Sequence, residues 1–384
     1  MAATGPPTPG GKGYQVRLYN QILRLAERHS ITLLTFAPAA DVDVDIAAAC
    51  RKVIAIRRSN REAVAAALLH APRLPLSVGL YVDRRMSAAL TSEVKGGEYD
   101  LVHLQLVRMA PYLPETAGLP VVLDLMDAAE LNMRERARAA APGVRQVLEV
   151  ESRRLGAYER QAIAQSDLSL LISRRDIAFI GDLPRTRLQA NGIEPQPLEG
   201  DPPRRAAATV IFTGTMSYFP NSDAARWFAS EIWPLVRAAF PSAVCRIVGR
   251  GPTPAVKQLG ARPGVTVTGP VPQMAVELAG AMVAVAPVRL GSGMLTKVLE
   301  AMAVRTPVVG TSKAFEGIPE DLHPFLHRAD SPATFAEAVV RILNDPGPAL
   351  KVAADGLDAI RREHTWGRSV SNLENLYEEA IGTA

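Results

Sequence analysis

One segment, residues 281–310, restricts the possible folds more than any other part of this chain. It reads "AMVAVAPVRLGSGMLTKVLEAMAVRTPVVG". The run "MVAVAPV" has the length and β-branching of a strand that is buried on both faces. The residues after Gly293 place apolar side chains on one helical stripe, which comprises Leu295, Val298, Leu299 and Met302. Because "TPVVG" then has the pattern of another buried strand, the segment predicts a strand–helix–strand crossover of a parallel sheet.

The charged residues of the predicted helix indicate a bound anion. Lys297 lies in the first turn or so of that helix, where the helix dipole disfavours a cation. The position becomes favourable if an anion lies between the ammonium and the free backbone N–H groups. A solvated or structural side chain is the alternative for Lys297, and also for Glu300, which follows three residues later.

The same alternation of apolar strands and amphipathic helices runs along the chain and predicts an α/β fold with parallel sheets. The strand candidates of the first half are "ITLLTF", "KVIAI", "DLVHLQ", "PVVLDLM", "LSLLIS" and "RLQANG". Those of the second half are "VIFTG", "VCRIVG", "VTVTG", "MVAVAPV" and "TPVVGT". Periodicity is lost and proline and charge accumulate at residues 193–208, so we predict a linker there between domains at 1–192 and 209–364.

Four of the five strand candidates of the second half run into a glycine at or near their carboxyl ends. Gly214 and Gly249 are the first two. Ligands of open α/β sheets bind at that edge, where a glycine lets the backbone approach a phosphate or a ribose. We therefore count both glycines among the candidate ligand-binding residues.

Composition excludes several classes of protein. The 384 residues are 48% hydrophobic and 21% charged, an ordinary globular balance that suits two domains. Cys50 and Cys245 predict neither a disulfide framework nor a metal site, and a reduced cytoplasm fits best. No apolar run has the length of a membrane span or of a signal peptide. The net charge of +4 arises within residues 1–205, where 27 basic residues face 23 acidic ones; this favours an acidic surface or an anionic partner only mildly, and we expect no nucleic-acid partner.

The start of the chain is unusual for this fold. "GPPTPGGKG" has the pattern of a turn between a strand and a helix, but only Met1 to Thr4 precede it. Four residues are few for a strand, so we expect the first sheet to lack its usual first strand or to close differently. Unpaired strand edges promote association, and a missing strand therefore predicts dimerisation or poor solubility.

Several motifs together resemble one known family. They are "PPTPGG", "ISRRD", "ANGI", "FTGTMSYFPN", "IVGRGP", "VTGPV", "GSGMLTKVLEAMAVRTPVV" and "FEGI". In this order they resemble the retaining glycosyltransferases of the GT-B fold, glycosyltransferase family 4 (group 1), over nearly the full chain. "LPLSVGLYVDRRM" and "DLMDAAELN" are similar to the sub-group associated with exosortase-linked exopolysaccharide systems. The resemblance implies two Rossmann-like domains facing across a cleft, with residues 365–384 returning to the N-terminal domain.

The resemblance also implies roles for residues of the C-terminal domain, which binds the nucleotide sugar. Glu300 would hold the ribose hydroxyls, and Lys297 with the backbone N–H groups of Gly293 and Met294 would hold the diphosphate. Arg289 could assist, or lie at the rim of the site. The family pattern has a second glutamate eight residues before Glu300; here Ser292 takes that position among the candidate binding residues, without a carboxylate to recognise the sugar.

In the N-terminal domain, Gly10 and Gly11 match the family's loop beside the phosphates and the acceptor. Asp127 closes the strand "PVVLDLMD" and is the candidate catalytic residue, in contact with the donor sugar or the acceptor. A helix N-cap is an equally good interpretation of that aspartate. We expect His103 to be a core histidine, and Arg108 to form a surface salt bridge rather than to meet an acceptor.

The resulting hypothesis is a glycosyltransferase that moves a sugar from a nucleoside-diphosphate sugar (UDP, GDP or dTDP) to an acceptor hydroxyl. The acceptor is a lipid-linked saccharide, a polysaccharide precursor or a small natural product, and configuration is retained. A sugar-nucleotide epimerase and a silent sugar-nucleotide-binding subunit are the alternatives. We expect no cofactor and no metal: "DVDVD" at residues 41–45 reads as an exposed acidic loop, and the spacings of a P-loop or an NAD site are absent. The expected location is the cytoplasm, with a weak peripheral contact to the inner face of the membrane through the basic N-terminal domain.

Overall fold

The computed structural model describes residues 1–116, 118–138, 140–181, 183–195, 205–291 and 294–383. The chain divides into two compact units. The first unit comprises Met1–Asn191 and Trp366–Ala384, and the second comprises Gly192–Thr365. Gly192 and Thr365 thus lie in the second unit, one residue away from the domain boundaries expected from the sequence.

The described part of the first unit contains a parallel sheet of seven strands in the order β3-β2-β1-β4-β5-β6-β7. The strands are β1 Ala2–Ala3, β2 Thr32–Thr35, β3 Lys52–Ala55, β4 Val102–Gln105, β5 Val121–Met126, β6 Leu168–Leu171 and β7 Thr186–Leu188. The helices before the second unit are α1 Gly13–Leu25, α2 Val44–Ala49, α3 Asn60–His70, α4 Leu76–Gly79, α5 Arg84–Gly96, α6 Ala129–Arg138, α7 Pro142–Gln165 and α8 Arg174–Ile180, with 3-10 turns at Ala39–Asp41 and Val107–Thr116.

The expectation that the first strand is missing was wrong. Ala2 and Ala3 form a two-residue strand in the middle of the sheet, where it pairs with both β2 and β4. The side chains of both alanines are buried. Two strand neighbours that the sequence predicted to be unpaired are therefore joined, and the argument for association through open edges no longer applies.

The described part of the second unit contains a parallel sheet of six strands in the order β10-β9-β8-β11-β12-β13. The strands are β8 Ala206–Thr213, β9 Val244–Val248, β10 Val265–Gly269, β11 Ala281–Ala286, β12 Val308–Gly310 and β13 His327–Arg328. The helices are α9 Phe219–Trp227, α10 Trp233–Ala239, α11 Pro254–Lys257, α12 Met274–Gly280, α13 Thr296–Ala303, α14 Ser312–Phe315, α15 Pro332–Asn344 and α16 Pro346–Glu363. A π-helical turn at Phe228–Ile232 joins α9 to α10, and 3-10 turns lie at Gln258–Ala261 and Glu320–Phe325.

The predicted linker is shorter than residues 193–208. Strand β8 begins at Ala206 and so takes up the last three of those residues. Ile193 forms an isolated parallel bridge with Thr365. Residues 196–204 lie outside the described residues.

Helix α17, Trp366–Thr383, belongs to the first unit although it follows the whole second unit in sequence. Its apolar side chains Val370, Leu373, Leu376 and Ala380 share one buried cluster with α1. Leu18, Ile22 and Leu25 supply the α1 side of that cluster, because their spacing puts them on one helical face. No helix in the described part of the chain has both the length and the apolar character needed to cross a membrane.

Both sheets reverse their strand order at one point. The reversal lies between β1 and β4 in the first unit and between β8 and β11 in the second. Open parallel sheets bind their ligands beside such a switch point, at the carboxyl ends of the strands. Each unit therefore has one place where a ligand is expected, at the switch point of its sheet.

Candidate functional site

Lys297 lies at the switch point of the second unit. It is the second residue of α13, the helix that follows β11. Its Nζ donates a hydrogen bond of 2.7 Å to Oδ1 of Asn221 and lies 4.5 Å from the ring centroid of Phe212 on β8. Asn221 is itself fixed, because its Nδ2 donates to the carbonyl of Thr215 at 3.0 Å. The ammonium of this α13 residue thus lies between the end of β8 and the first turn of α9.

Two predicted glycines form the wall beside this ammonium. A Cβ atom on Gly214 would lie 2.9 Å from Nζ of Lys297 and 2.8 Å from Nδ2 of Asn221. A Cβ atom on Gly249 would lie 1.8 Å from the carbonyl oxygen of Gly214, and the φ angle there is +146°. A side chain fits at neither position, so the backbone stays close to Lys297.

Burial acts on both charged residues of α13. It lowers the pKa of Lys297 to about 7, against the nearby Glu300 carboxylate, which raises it. It also raises the pKa of Glu300, against the attraction of Lys297. The Glu300 carboxylate has no hydrogen-bond partner among the described residues, and both side chains are partly buried. The site therefore holds a cation that lacks full compensation and a carboxylate with unused acceptors.

The other residues predicted on this segment have different surroundings. The Arg289 guanidinium forms an ion pair of 2.8 Å with Asp223 and lies 4.9 Å from the ring centroid of Trp227. These contacts hold it against α9. Met294 is buried. Ser292 and Gly293 lie outside the described residues.

In the first unit, Gly10 and Gly11 lie in the loop between β1 and α1. A Cβ atom on Gly11 would lie 2.6 Å from Cγ2 of Thr8 and 2.8 Å from Oε1 of Gln15, whereas one on Gly10 would meet nothing within 4 Å. Gln15 fixes the loop, because its Nε2 donates to the carbonyl of Pro6 at 2.8 Å. Only Gly11 is sterically required by the described contacts.

Asp127 follows β5 at the carboxyl edge of the first sheet. It does not cap α6: the backbone N–H of Ala128 is bound by Asp176 at 3.3 Å, and that of Ala129 by Glu159 at 2.8 Å. Asn132 forms a side-chain hydrogen bond with the Asp127 carboxylate, but Oδ1 of Asp127 is buried and has no partner among the described residues. Burial, reinforced by the Asp176 charge, raises the pKa of Asp127 to about 7. Of the two interpretations made from the sequence, the N-cap is therefore excluded.

The structure agrees with the expectation for His103 but not with that for Arg108. His103 is buried, its Nδ1 lies 2.8 Å from the hydroxyl of Tyr377, and burial lowers its pKa to about 4, as a core histidine should. Contrary to the expectation, Arg108 forms no salt bridge with any residue that the structure describes. Its guanidinium instead lies 5.8 Å from the ring centroid of Tyr81.

Asn221 and Phe212 are contacts of Lys297 that the sequence analysis missed. They are the first and last residues of the motif "FTGTMSYFPN". Asn221 is the third residue of α9, which follows a strand–glycine turn, and an asparagine at such a position could have indicated the contact with Lys297. Among the described residues, no group of three His, Cys, Asp or Glu side chains is arranged to hold a metal ion.

Several solved structures share this architecture over almost the full chain. Sucrose-phosphate synthase from Thermosynechococcus elongatus has a TM-score of 0.68 and 16% identity, covering 100% of this chain and 97% of its own. Anabaena HepE, solved with UDP and glucose, has a TM-score of 0.64 and 13% identity, covering 97% of both chains. A trehalose-6-phosphate protein from E. coli, solved with UDP-2-fluoro glucose, has a TM-score of 0.63 and 13% identity, covering 98% of both. The fold is GT-B.

The second unit of this GT-B chain also matches a family model. Residues 207–345 match "Glycosyl transferases group 1", a range that contains Gly214, Asn221, Lys297 and Glu300. The predicted enzyme class, a glycosyltransferase, is confirmed by this domain within a GT-B fold. No curated protein matches the sequence.

Proposed function

We propose that this GT-B chain moves a sugar from a nucleoside-diphosphate sugar to an acceptor hydroxyl with retention of configuration. The acceptor is a lipid-linked saccharide, a polysaccharide precursor or a small natural product. One observation carries the proposal: the partly buried Lys297 ammonium beside Gly214, at the switch point of the second sheet.

The donor diphosphate is the anion that suits this position. Lys297 has a neutral partner, Asn221, at 2.7 Å, and burial opposes its charge. A diphosphate beside it would restore the charge, and the first N–H groups of α13 would attract the same anion. Gly214 would let the phosphates approach the backbone, since any side chain there would fill the space next to the ammonium.

The ribose is assigned to Glu300. It lies one helical turn beyond Lys297 on α13, which brings phosphate and ribose contacts close to one helical face. A carboxylate without a partner can accept hydrogen bonds from two vicinal hydroxyl groups, a charge-assisted contact with strict geometry. The raised pKa of Glu300 fits a side chain whose burial is completed by a ligand.

The chemical step needs no strong protein base. The leaving diphosphate takes the proton of the acceptor hydroxyl, while Lys297 and backbone N–H groups stabilise its growing negative charge. The protein supplies positioning and exclusion of water. Asp127 contributes from the first unit, where its buried and unpartnered Oδ1 would meet a hydroxyl of the donor sugar or the acceptor.

UDP is the first nucleotide to test, with GDP and dTDP as the alternatives. HepE and the E. coli trehalose-6-phosphate protein were solved with UDP or a UDP sugar. We assign the chain to the exosortase-associated sub-group of glycosyltransferase family 4 on its motifs "LPLSVGLYVDRRM" and "DLMDAAELN". That assignment favours a saccharide acceptor of exopolysaccharide synthesis.

We also propose a peripheral contact of the first unit with the inner face of the membrane. Its surface exposes large apolar side chains on α3, α4 and the first turns of α7, namely Val64, Leu68, Leu69, Leu76, Val144, Val147 and Val150. Arg154 of α7 donates to the carbonyl of Leu74 at 2.6 Å, so α7 lies against the segment between α3 and α4. Exposed arginines on α3, on α7 and in the turn between α3 and α4 would attract anionic headgroups; they include Arg61, Arg73, Arg145 and Arg153.

Vesicle sedimentation tests the membrane contact. The wild-type protein should bind phosphatidylglycerol vesicles better than phosphatidylcholine vesicles. The double variant Val144→Ser, Val147→Ser should lose that binding, whereas Val244→Ser, an exposed valine of the second unit, should not. Equal vesicle binding by both variants would show that the exposed apolar side chains of α7 do not contact the membrane.

The transfer function is tested by incubating the purified protein with a panel of UDP, GDP and dTDP sugars. A transferase should release nucleoside diphosphate slowly by hydrolysis of one donor, and Lys297→Ala should release none above background. Interconversion of the donor sugar without release would instead indicate an epimerase. Binding of a nucleotide sugar with neither outcome, even when saccharide acceptors are present, would indicate a silent binding subunit.

A further inference from the structure

A second group of side chains gathers at the switch point of the first unit, and the mechanism above does not use it. Its centre is Tyr81. The guanidinium carbon of Arg58 lies 5.7 Å from the ring centroid of Tyr81, and that of Arg108 lies 5.8 Å from the same centroid. Arg58 also lies 5.0 Å from the ring centroid of Phe36. Two guanidinium groups therefore share one aromatic ring.

The sheet explains why these residues meet. Phe36 follows β2, Arg58 lies three residues beyond β3, and Arg108 lies three residues beyond β4, so all of them leave the carboxyl edge of parallel strands. Leu106, directly after β4, has a φ angle of +69°, a conformation that is unfavourable for a branched side chain. Such backbone strain tends to persist at ligand sites, where it directs the following residues. Here the following residues carry Arg108.

Neither arginine has a hydrogen bond or an ion pair within the described part of the chain. Nη1 of Arg58 is buried and has no partner. Burial lowers the pKa of Arg58, although the Asp83 carboxylate opposes the effect. Asp83 is itself occupied, since Arg85 donates to both of its carboxylate oxygens at 3.0 and 2.7 Å. A partly buried guanidinium without partners is costly unless a ligand supplies the acceptors.

Another polar side chain lies near this group. Tyr14, in the first turn of α1, is within electrostatic reach of Tyr81 and Arg108. Its hydroxyl would lie 3.2 Å from a Cβ atom on Gly5, in the loop that follows β1. The group thus offers two guanidinium forks and a phenol around one ring, at the point where an open sheet binds ligands.

We propose that Arg58 and Arg108 bind a phosphate group carried by the acceptor, with Tyr81 as the surface on which both guanidinium groups rest. A phosphate has the charge and the number of acceptor oxygens to engage two guanidinium groups at once, which a neutral sugar lacks. The inference rests on the proposed transferase function and defines its acceptor as a phosphorylated one. The phosphate belongs either to a soluble sugar phosphate or to a lipid phosphate.

The test is phosphorus NMR titration of the full chain with glucose 6-phosphate, alongside a titration with glucose followed by calorimetry. The sugar phosphate should bind and glucose should not. Arg58→Gln and Arg108→Gln should each weaken binding by about ten- to a hundredfold, the usual loss for one charge-assisted contact. Arg57→Gln is the matched control, because Arg57 is exposed and adjacent in sequence. Lys297→Ala should leave this binding unchanged, which separates the inference from the donor site.

A second arm uses phosphatidylcholine vesicles with and without phosphatidic acid. If the two arginine variants lose binding only to phosphatidic acid, the phosphate is that of a lipid acceptor and the proposal stands. If neither phosphate source depends on Arg58 and Arg108, or if Arg57→Gln causes the same loss, the proposal is overturned. Retained melting temperatures of the variants, and partial recovery in Arg108→Lys, would show that charge and not folding was lost.

Discussion

At the scale of single residues, the second unit keeps an ammonium where burial opposes its charge. Burial lowers the pKa of Lys297 to about 7 and raises the pKa of the neighbouring Glu300. A structural lysine gains nothing from such a position, whereas a lysine that awaits an anion does. Perturbed titratable groups at a sheet switch point are typical of binding sites.

Glu300→Gln should leave folding nearly intact and weaken nucleoside diphosphate binding about tenfold or more, because the amide loses one acceptor and the charge. The loss should be large for a diphosphate with an intact ribose and small for its 2′-deoxy counterpart. Calorimetric titration of both ligands measures this difference. An equal loss of affinity for both ligands would show that Glu300 does not contact the ribose.

Asp127 predicts a pH dependence of stability. Its pKa of about 7 in the folded chain exceeds the ordinary value of 3.8. Between pH 3.8 and about pH 7 the folded state therefore binds more protons than the unfolded state. Its contribution therefore favours folding below about pH 4 and is lost as pH rises to about 7. Asp127→Asn should gain stability relative to wild type at pH 8 but little at pH 4, as measured by urea unfolding at both pH values. A gain that is the same at both pH values would contradict the raised pKa.

At the scale of elements, the strand–glycine turns of the second unit leave no room for side chains. The φ angle of +146° at Gly249 and the approach of Gly214 are both needed to bring the ends of β8 and β9 together next to α13. These turns determine how close a ligand can come to the backbone.

Gly249→Ala should therefore destabilise the chain by about 1–3 kcal/mol or more and abolish nucleotide binding, through backbone strain and the overlap with Gly214. Gly260→Ala is the control, because a Cβ atom there would meet only Val267 at 3.9 Å. Thermal unfolding and a nucleotide titration of both variants provide the comparison. Wild-type stability in Gly249→Ala would show that the turn is not as tight as described.

Most strands could be predicted from their apolar runs, whereas the two-residue strands could not. Ala2 and Ala3 carry no pattern of their own, and they form a strand only because β2 and β4 offer hydrogen bonds on both sides. His327 and Arg328 form the edge strand β13, which among the described residues pairs only with β12. Sequence periodicity reports burial, and two residues are too few for a period.

The candidate site shows the same limit. Lys297 and Glu300 could be proposed from one helix, but the contact of Lys297 with Asn221 spans 76 residues. Such a pair depends on the order of strands in the sheet, which no local pattern reveals. Arg289 was a candidate for binding the phosphates. Its ion pair with Asp223, which holds it against α9, is also a contact between residues far apart in sequence and could not be predicted from a local pattern.

At the scale of the whole molecule, the first unit is built from both ends of the chain. Helix α17 buries Val370, Leu373 and Leu376 in a core with α1, and Tyr377 binds the buried His103. The core of the first unit therefore depends on α17 as well as on residues 1–191.

Leu373→Ala should destabilise the first unit by about 2–5 kcal/mol, the usual cost of a cavity at a fully buried leucine. Ile381→Ala, on the same helix but exposed, should cost little. Hydrogen exchange followed by mass spectrometry should show the added opening in the peptides of α1 and the first sheet. Faster exchange confined to residues 205–365 would contradict the assignment of α17 to the first unit.

Calorimetric titration of Lys297→Ala tests whether Lys297 binds the donor diphosphate. The variant should bind nucleoside diphosphate about ten- to a hundredfold more weakly than wild type, the effect of losing one charged contact. Its affinity for the uncharged nucleoside should barely change. Equal losses for the nucleoside and the diphosphate, or no loss for either, would show that Lys297 is a structural lysine and that the donor phosphates bind elsewhere.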